Sequence, residues 1–376
     1  MLALALALAL AALAAPVAGC GGGGTPEVET AVAELPPADP RAVRQFALGV
    51  QFMKRGGARN DRRARERFER AIQIDQYMWE AHYNLGVLER RAGEMRGAIR
   101  RFEEARRIQP GAPAPLLALA EVRYAMGERE AASELLTAHV QTDPEAVEVR
   151  VALTTMLRER GEYEDALEQA REALIRDSEN VRALIEIGRI YRAREQYDVA
   201  NLVFRKALDL SPNNAAIHND LGLVALARGD TQAAFVELAR AIEIDQGYAP
   251  ARMNQGSVLL HAGDYEGAAR EYRAVLETDA NAIEARVALG AALRGAGDHR
   301  GARREYEAVL EAAPNHAAAL FNLGVLKAEF LDQRPQSRAL FQRFLTVAPS
   351  DVPQREVAER YLREIPASGR RAGGGG

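Results

Sequence analysis

The sequence predicts an all-α protein built as one long array of helix pairs. Three observations carry that reading. Alanine recurs at Ala64, Ala98, Ala132, Ala166, Ala200, Ala234, Ala268 and Ala302, every 34 positions without a gap. Glycine recurs in fixed register with it at Gly93, Gly127, Gly161, Gly229, Gly263 and Gly297, and Glu195 stands where the series expects one more. The 376-residue chain is 48% hydrophobic but only 6% aromatic, which suits Ala- and Leu-rich helices better than sheets. A period of this size marks a solenoid, in which each unit buries its apolar face only against its neighbours.

Each unit reads as two helices. The recurrent glycine sits just past the first helix, where a left-handed residue ends it. The alanine lies early in the second helix, where a small side chain allows close approach of the first. Four residues on, one helical turn away on the same face, come Phe68, Phe102, Leu136, Phe204, Leu238, Tyr272 and Tyr306, with Ala170 the exception. Proline closes several units at Pro110, Pro144, Pro212, Pro314 and Pro349, since the residue before it disfavours helix. A Leu-Gly type pair lies inside the first helix at Leu85-Gly86, Ile187-Gly188, Leu221-Gly222, Leu289-Gly290 and Leu323-Gly324.

This pattern resembles the tetratricopeptide repeat, W-x2-L-G-x2-Y…A-x3-F…P, across residues 42–351. Nine repeats follow in register: 42–78, 79–112, 113–146, 147–180, 181–214, 215–248, 249–282, 283–316 and 317–351. The first carries three extra residues, expected in its turn around Gly56-Gly57-Ala58, and the last carries one near Pro335. The family tryptophan is missing from its place, and the single Trp79 comes early in the second repeat. The resemblance implies a right-handed superhelix whose first helices line a concave groove. Residues 353–365 read as an amphipathic capping helix, with Val357, Tyr361, Leu362 and Ile365 on one face and Arg355, Glu356, Glu359, Arg360, Arg363 and Glu364 on the other. Residues 366–376 read as a disordered tail.

The N-terminus reads as a targeting segment. Residues 1–19 begin with an uncharged apolar stretch ending in small residues, a secretory signal without the usual positive start. Val17-Ala18-Gly19-Cys20 resembles the bacterial lipobox, whose cysteine sulfur is acylated. Cys20 is the only cysteine, and residues 20–41 form an anchor and tether, glycine-rich at first and then acidic and proline-containing. The expected location is the periplasmic face of the outer membrane, lipid-anchored through Cys20.

Several chemistries are excluded. One cysteine makes neither an intrachain disulfide nor a thiolate metal cluster. A net charge of −4 does not favour nucleic-acid binding by bulk positive potential. None of His82, His139, His218, His261, His299 and His316 pairs with another at helical metal-ligand spacing, and no phosphate-binding loop, nucleophile elbow or zincin motif occurs. The reading is therefore no enzyme, no cofactor, no small-molecule substrate and no nucleic acid.

The expected partners are proteins, bound as an extended peptide or as subunits of an envelope complex. By the resemblance, positions 2, 5, 6, 9 and 12 of each repeat face the groove. Apolar candidates include Tyr83, Val87, Leu223, Met253 and Phe321; amides are Asn84, Asn219, Asn254 and Asn322; cations are Arg182, Arg189 and Arg192. Asn84, Asn254 and Asn322 lie whole repeats apart, with Asn219 one position off that register, a spacing that suits the backbone of an extended peptide, and the arginines suit a carboxylate. A basic run, Lys54, Arg55, Arg59, Arg62, Arg63, Arg65, Arg67 and Arg70 against Asp61, Glu66 and Glu69, lies in the first repeat, near the lipid end, and suits anionic head groups. The arrangement is similar to tetratricopeptide lipoproteins of trans-envelope machines, gliding motility first, with type IV pilus or secretion-system assembly as the alternative. A regulatory or glycan-processing factor carrying these repeats is the alternative of another class.

Overall fold

The computed structural model describes residues 36–365, so the signal segment, Cys20 and the tail lie outside the described residues. Among the described residues there are nineteen helices and no strand. The chain divides into two compact units, one up to Ala81 and one from His82 onward.

The first unit is a helical hairpin of α1 (Pro40–Arg55) and α2 (Ala58–Ile74). Asp39 caps α1 by accepting from Arg41 N at 2.7 Å, and its own N–H donates to the Asp75 carboxylate beyond α2 at 3.2 Å. Phe68 is fully buried and its ring meets that of Phe46 at 5.6 Å. The three extra residues of this repeat do not sit in its turn. The turn is only Gly56-Gly57, and the additions lengthen α2 to 17 residues against the 14 of later second helices. An added helical turn keeps its backbone hydrogen bonds, whereas an added loop must find partners for its own.

Helix α3 (Trp79–Arg91) carries the chain across the boundary between the units. In the second unit follow α4 (Met95–Ile108), α5 (Pro113–Ala125), α6 (Arg129–Thr142), α7 (Val147–Arg160), α8 (Tyr163–Arg176), α9 (Val181–Ala193) and α10 (Tyr197–Leu210). Then come α11 (Ala215–Ala227), α12 (Thr231–Ile244), α13 (Ala249–His261), α14 (Tyr265–Thr278), α15 (Ile283–Gly295), α16 (His299–Ala312), α17 (Ala317–Glu329), α18 (Arg334–Val347) and α19 (Gln354–Glu364).

The core of each repeat is an exchange of volume between its two helices. The periodic alanines are all fully buried. A Cβ added at Gly188 would lie 2.5 Å from the Phe204 ring, and one at Gly290 would lie 2.5 Å from the Tyr306 ring. Glycine in the first helix thus makes room for a large side chain in the second, an aromatic in six repeats and Leu238 in the sixth repeat. The two repeats without that glycine shrink the opposite side: Ala120 stands across from Leu136, and Thr154 across from Ala170, all four fully buried. Because the core is close-packed, the larger Thr154 leaves less room opposite, which explains why Ala170 departs from the series.

The punctuation works as the sequence suggests. Gly161 ends α7 in the left-handed region, φ 82°, and Glu195 takes φ 59° at the equivalent position after α9. In the ninth repeat the one extra residue falls in the turn 330–333, where Asp332 has φ 51°. Each closing proline lies two residues past a second helix, as Pro110 does after α4. Between repeats, Asp143, Asp177, Asp245 and Asp279 each accept the backbone N–H two residues on, at 2.9–3.3 Å, which satisfies donors at the turn into the next helix.

The final helix α19 seals the C-terminal face. Phe341 and Tyr361 stack with centroids 4.8 Å apart, and Ala358 and Ile365 are buried beside them. Arg355, assigned by helical pattern to the polar face, instead turns back and donates to Leu345 O at 2.9 Å and Ala348 O at 3.0 Å. Arg338 of α18 reciprocates, donating to Leu362 O and Ile365 O. Each arginine meets orphan carbonyls and the negative dipole at the end of the other helix. Helical periodicity alone assigns a face, and this tertiary contact overrides it.

Candidate partner-binding groove

In the second unit, each odd-numbered helix from α5 to α15 packs against the next odd-numbered helix as well as against its own hairpin partner. The even-numbered helices show no comparable mutual contact among the described residues. The first helices are therefore crowded together on one side of this unit, as a concave inner surface requires. The lining residues Arg182 to Asn322 lie on these helices, while Tyr83, Asn84 and Val87 lie on the preceding first helix, α3.

At its N-terminal end the lining is aromatic and amide. Tyr83 is half-buried against Phe102, rings 5.6 Å apart, and burial raises its phenol above the usual range. Asn84 and Val87 are half-buried on the same helix. Arg90 reaches the next first helix and pairs with Glu121 at 2.7 Å.

The middle is charged and already paired. Glu186, Asp220 and Asn254 occupy one register position in three successive first helices, 34 residues apart. Arg158 donates to Glu186 at 2.7 Å; Arg189 donates to Glu186 at 2.9 Å and to Asp220 at 2.8 Å. Both carboxylates are buried. Burial pushes the Asp220 carboxyl above its usual range, and Arg189 and Arg192 only partly pull it back. For Arg189, burial opposes the charge, but Asp220 and Glu186 outweigh it and hold its pKa above the ordinary value. Beside this column, Asn254 Nδ2 donates to Asn219 Oδ1 at 2.8 Å, with Asn219 buried.

The expectation that Arg182, Arg189 and Arg192 form one cationic group for a partner's carboxylate needs correction. Both carboxylates at Arg189 are the chain's own, Glu186 from the same helix and Asp220 from the neighbouring repeat. Arg182 is exposed at the start of α9, while Arg192 has its Nε buried without a hydrogen-bond partner. The sequence reading passed over Glu186 and Asp220. Their 34-residue spacing, the same as that of the alanines, is the signal that finds them.

At the C-terminal end the lining is aromatic again. Phe321 is half-buried with its ring 5.2 Å from Phe344 and 6.2 Å from Phe341, and Asn322 is half-buried beside it. Leu223 and Met253 are half-buried between, Met253 packing on the cluster that contains Leu289 and Leu293. The site residues are thus brought together in part: Asn219 touches Asn254, while Tyr83 and Asn322 lie seven repeats apart. Among the described residues, no three His, Cys, Asp or Glu side chains are grouped to hold a metal ion, and no helix is long and apolar enough to cross a membrane.

Three family models match the sequence. One described as TPR repeat matches residues 188–227, and two described as tetratricopeptide repeat match 89–154 with 259–323, and 55–113. Together they span more than half of the chain, and none describes a catalytic family. Comparison with curated proteins gives no match. Among solved structures, the APC/C hetero-tetramer Cut9-Hcn1 is similar with a TM-score of 0.56 at 13% identity, covering 85% of this chain and 76% of that one. YrrB, a TPR protein with an unusual peptide-binding site, gives a TM-score of 0.37 at 26% identity over 50% of this chain and 97% of its own. The pilF protein of Pseudomonas aeruginosa gives 0.44 at 19% identity over 54% of this chain and 93% of its own. With the period, the size exchange between helix pairs and the matching models in agreement, the chain belongs to the tetratricopeptide repeat family.

Proposed function

We propose that this chain is a lipid-anchored periplasmic scaffold, held at the outer membrane through Cys20, which binds protein partners along the inner surface of its first helices. The family is a protein-interaction fold, and the observation that carries the groove is the mutual packing of the odd-numbered helices. That packing gathers half-buried aromatic, amide and apolar side chains on one side, the mixture an extended peptide needs: pockets for side chains and amides for backbone. Because Arg158 and Arg189 are matched by Glu186 and Asp220, the middle of the groove favours an uncharged stretch of partner over an acidic one.

The finer reading is a subunit of a trans-envelope complex such as a gliding-motility machine. What supports it is the sequence arrangement, a lipobox-like tetrad and glycine tether followed by an unbroken array. Two measurements test the proposal. Labelling cells with palmitate should mark the wild-type chain and not Cys20→Ala, and unlabelled wild-type protein would remove the anchor. Photo-crosslinkers placed at Tyr83 and Asn254 should trap envelope proteins, while one at Leu202, 69% exposed on the outer helix α10, should not. Trapping of cytosolic proteins alone would sink the scaffold reading.

A further inference from the structure

The first hairpin ends in a cationic knuckle. Lys54, Arg55, Arg59, Arg62 and Arg63 are all exposed around the Gly56-Gly57 turn. The knuckle is built rather than loose. Asn60 Nδ2 donates to Gly56 O at 2.8 Å, and Gly57 O accepts from Asn60 N at 2.9 Å and Asp61 N at 3.0 Å, which fixes the turn. The guanidinium groups of Arg55 and Arg63 flank the half-buried Phe52 ring at 5.7 and 5.6 Å, so two of the five charges are held in place by cation–π contact.

The knuckle also lacks the acid that six of its eight counterparts have. Six later second helices begin at a Glu or Asp cap: Glu94, Glu128, Glu162, Asp230, Asp264 and Asp298. Helix α2 begins at Gly57. Its positive N-terminal dipole therefore adds to the five side chains. The one acid among residues 54–65 is Asp61, whose Oδ1 is buried, and among the described residues no ion pair joins it to any of the five.

We propose that this knuckle docks on an anionic phospholipid surface; the inference rests on the lipid-anchor reading above. Charge complementarity favours that occupant, and so does chain length. Nineteen residues lie between Cys20 and Pro40, a reach of at most about 65 Å. Helix α1, 16 residues long, carries the knuckle only about 24 Å from its start. An anchor at Cys20 thus keeps the knuckle within reach of the bilayer at high effective concentration. Several Lys and Arg side chains presented together suffice for attraction to an anionic leaflet, within a Debye length of the surface.

The test uses the full acylated chain, purified in detergent and reconstituted into vesicles of phosphatidylcholine alone or mixed with phosphatidylglycerol. Phenylglyoxal labelling of Arg59, Arg62 and Arg63 is followed by mass spectrometry against exposed Arg205 as the internal control. The expected result is labelling at least about tenfold slower with phosphatidylglycerol, restored by high salt. Labelling of Arg55 in Arg59→Glu/Arg62→Glu/Arg63→Glu should not respond to lipid composition, and circular dichroism checks that its helices persist. Equal labelling in both vesicles, or protection in both, would overturn the proposal; the latter means the cations are covered by protein. Failure of the anchor reading looks different, since the wild-type chain would then be unacylated at Cys20 and would not float with neutral vesicles.

Discussion

The fourth and eighth repeats fill the same space in opposite ways. In the eighth, Gly290 leaves room for Tyr306; in the fourth, Thr154 occupies that room and Ala170 faces it. The array trades size between the two helices across this gap, so that neither position is fixed alone. The groove lining behaves differently: one register position holds Asn84, Glu186, Asp220, Asn254 and Asn322 but alanine at 118, 152 and 288, and packing does not demand that variation. Packing is periodic because every repeat faces the same geometric problem. Under the proposed function, lining is aperiodic because each repeat would meet a different stretch of partner.

The sharpest way to break that comparison is to put the fourth repeat's larger residue alone into a glycine repeat. Gly188→Thr should cost about 3 kcal/mol, because its Cβ drives into the Phe204 ring, and urea unfolding measures the loss. Gly188→Thr with Phe204→Ala, which copies Thr154 and Ala170, should recover more than half of it. No recovery would mean that the pairs are independent and the size exchange is wrong.

Alkali tests the aromatic side of the exchange. Burial pushes the phenols of Tyr272 and Tyr306 up to about 12 from the ordinary 10. A phenol pKa raised in the folded state favours the folded neutral form. That stability is fully present below pH 10 and lost as pH rises towards 12, by about 2–3 kcal/mol for each residue. Tyr272→Phe/Tyr306→Phe should flatten the fall in melting temperature over that window, and an unchanged slope would refute the burial account.

The lining responds to charge. Asp220→Leu should destabilise by about 2 kcal/mol, less than a fully buried pair would, because Arg189 remains 27% exposed and finds some water. Arg189→Met/Asp220→Leu should restore most of that loss, which urea unfolding of both variants reads out. If the double variant is no more stable than the single, the pair does not form.

The smallest effect belongs to the turn. Glu195 holds φ 59°, a conformation that costs a side chain about 1 kcal/mol, so Glu195→Gly should raise stability by roughly that amount in thermal melts.

Much of the fold was legible because it repeats. The alanines, the glycine turns and the proline stops each recur at the 34-residue period, and chance does not produce such agreement across eight units. The proposed groove lining was legible only as a set of positions. Helical spacing placed Arg189 beside Arg182 and Arg192 along one chain segment. It could not show that Asp220, one repeat on, comes within 2.8 Å, since that distance depends on how closely neighbouring first helices approach. Arg355 departs from the face its helical position predicts for the same reason: its orientation follows the carbonyls at the end of α18 rather than the pattern of its own helix.

The sequence by itself determined the helix pairs, their number and their order, because those follow from local turn chemistry and from which residues are too large or too small to share a space. The tertiary structure decided which charges are spent inside the protein and which remain for a partner. Burial and cross-repeat distance control that outcome: at Glu186 and Asp220 the charges are neutralised within the array, while at the first hairpin turn they stay exposed.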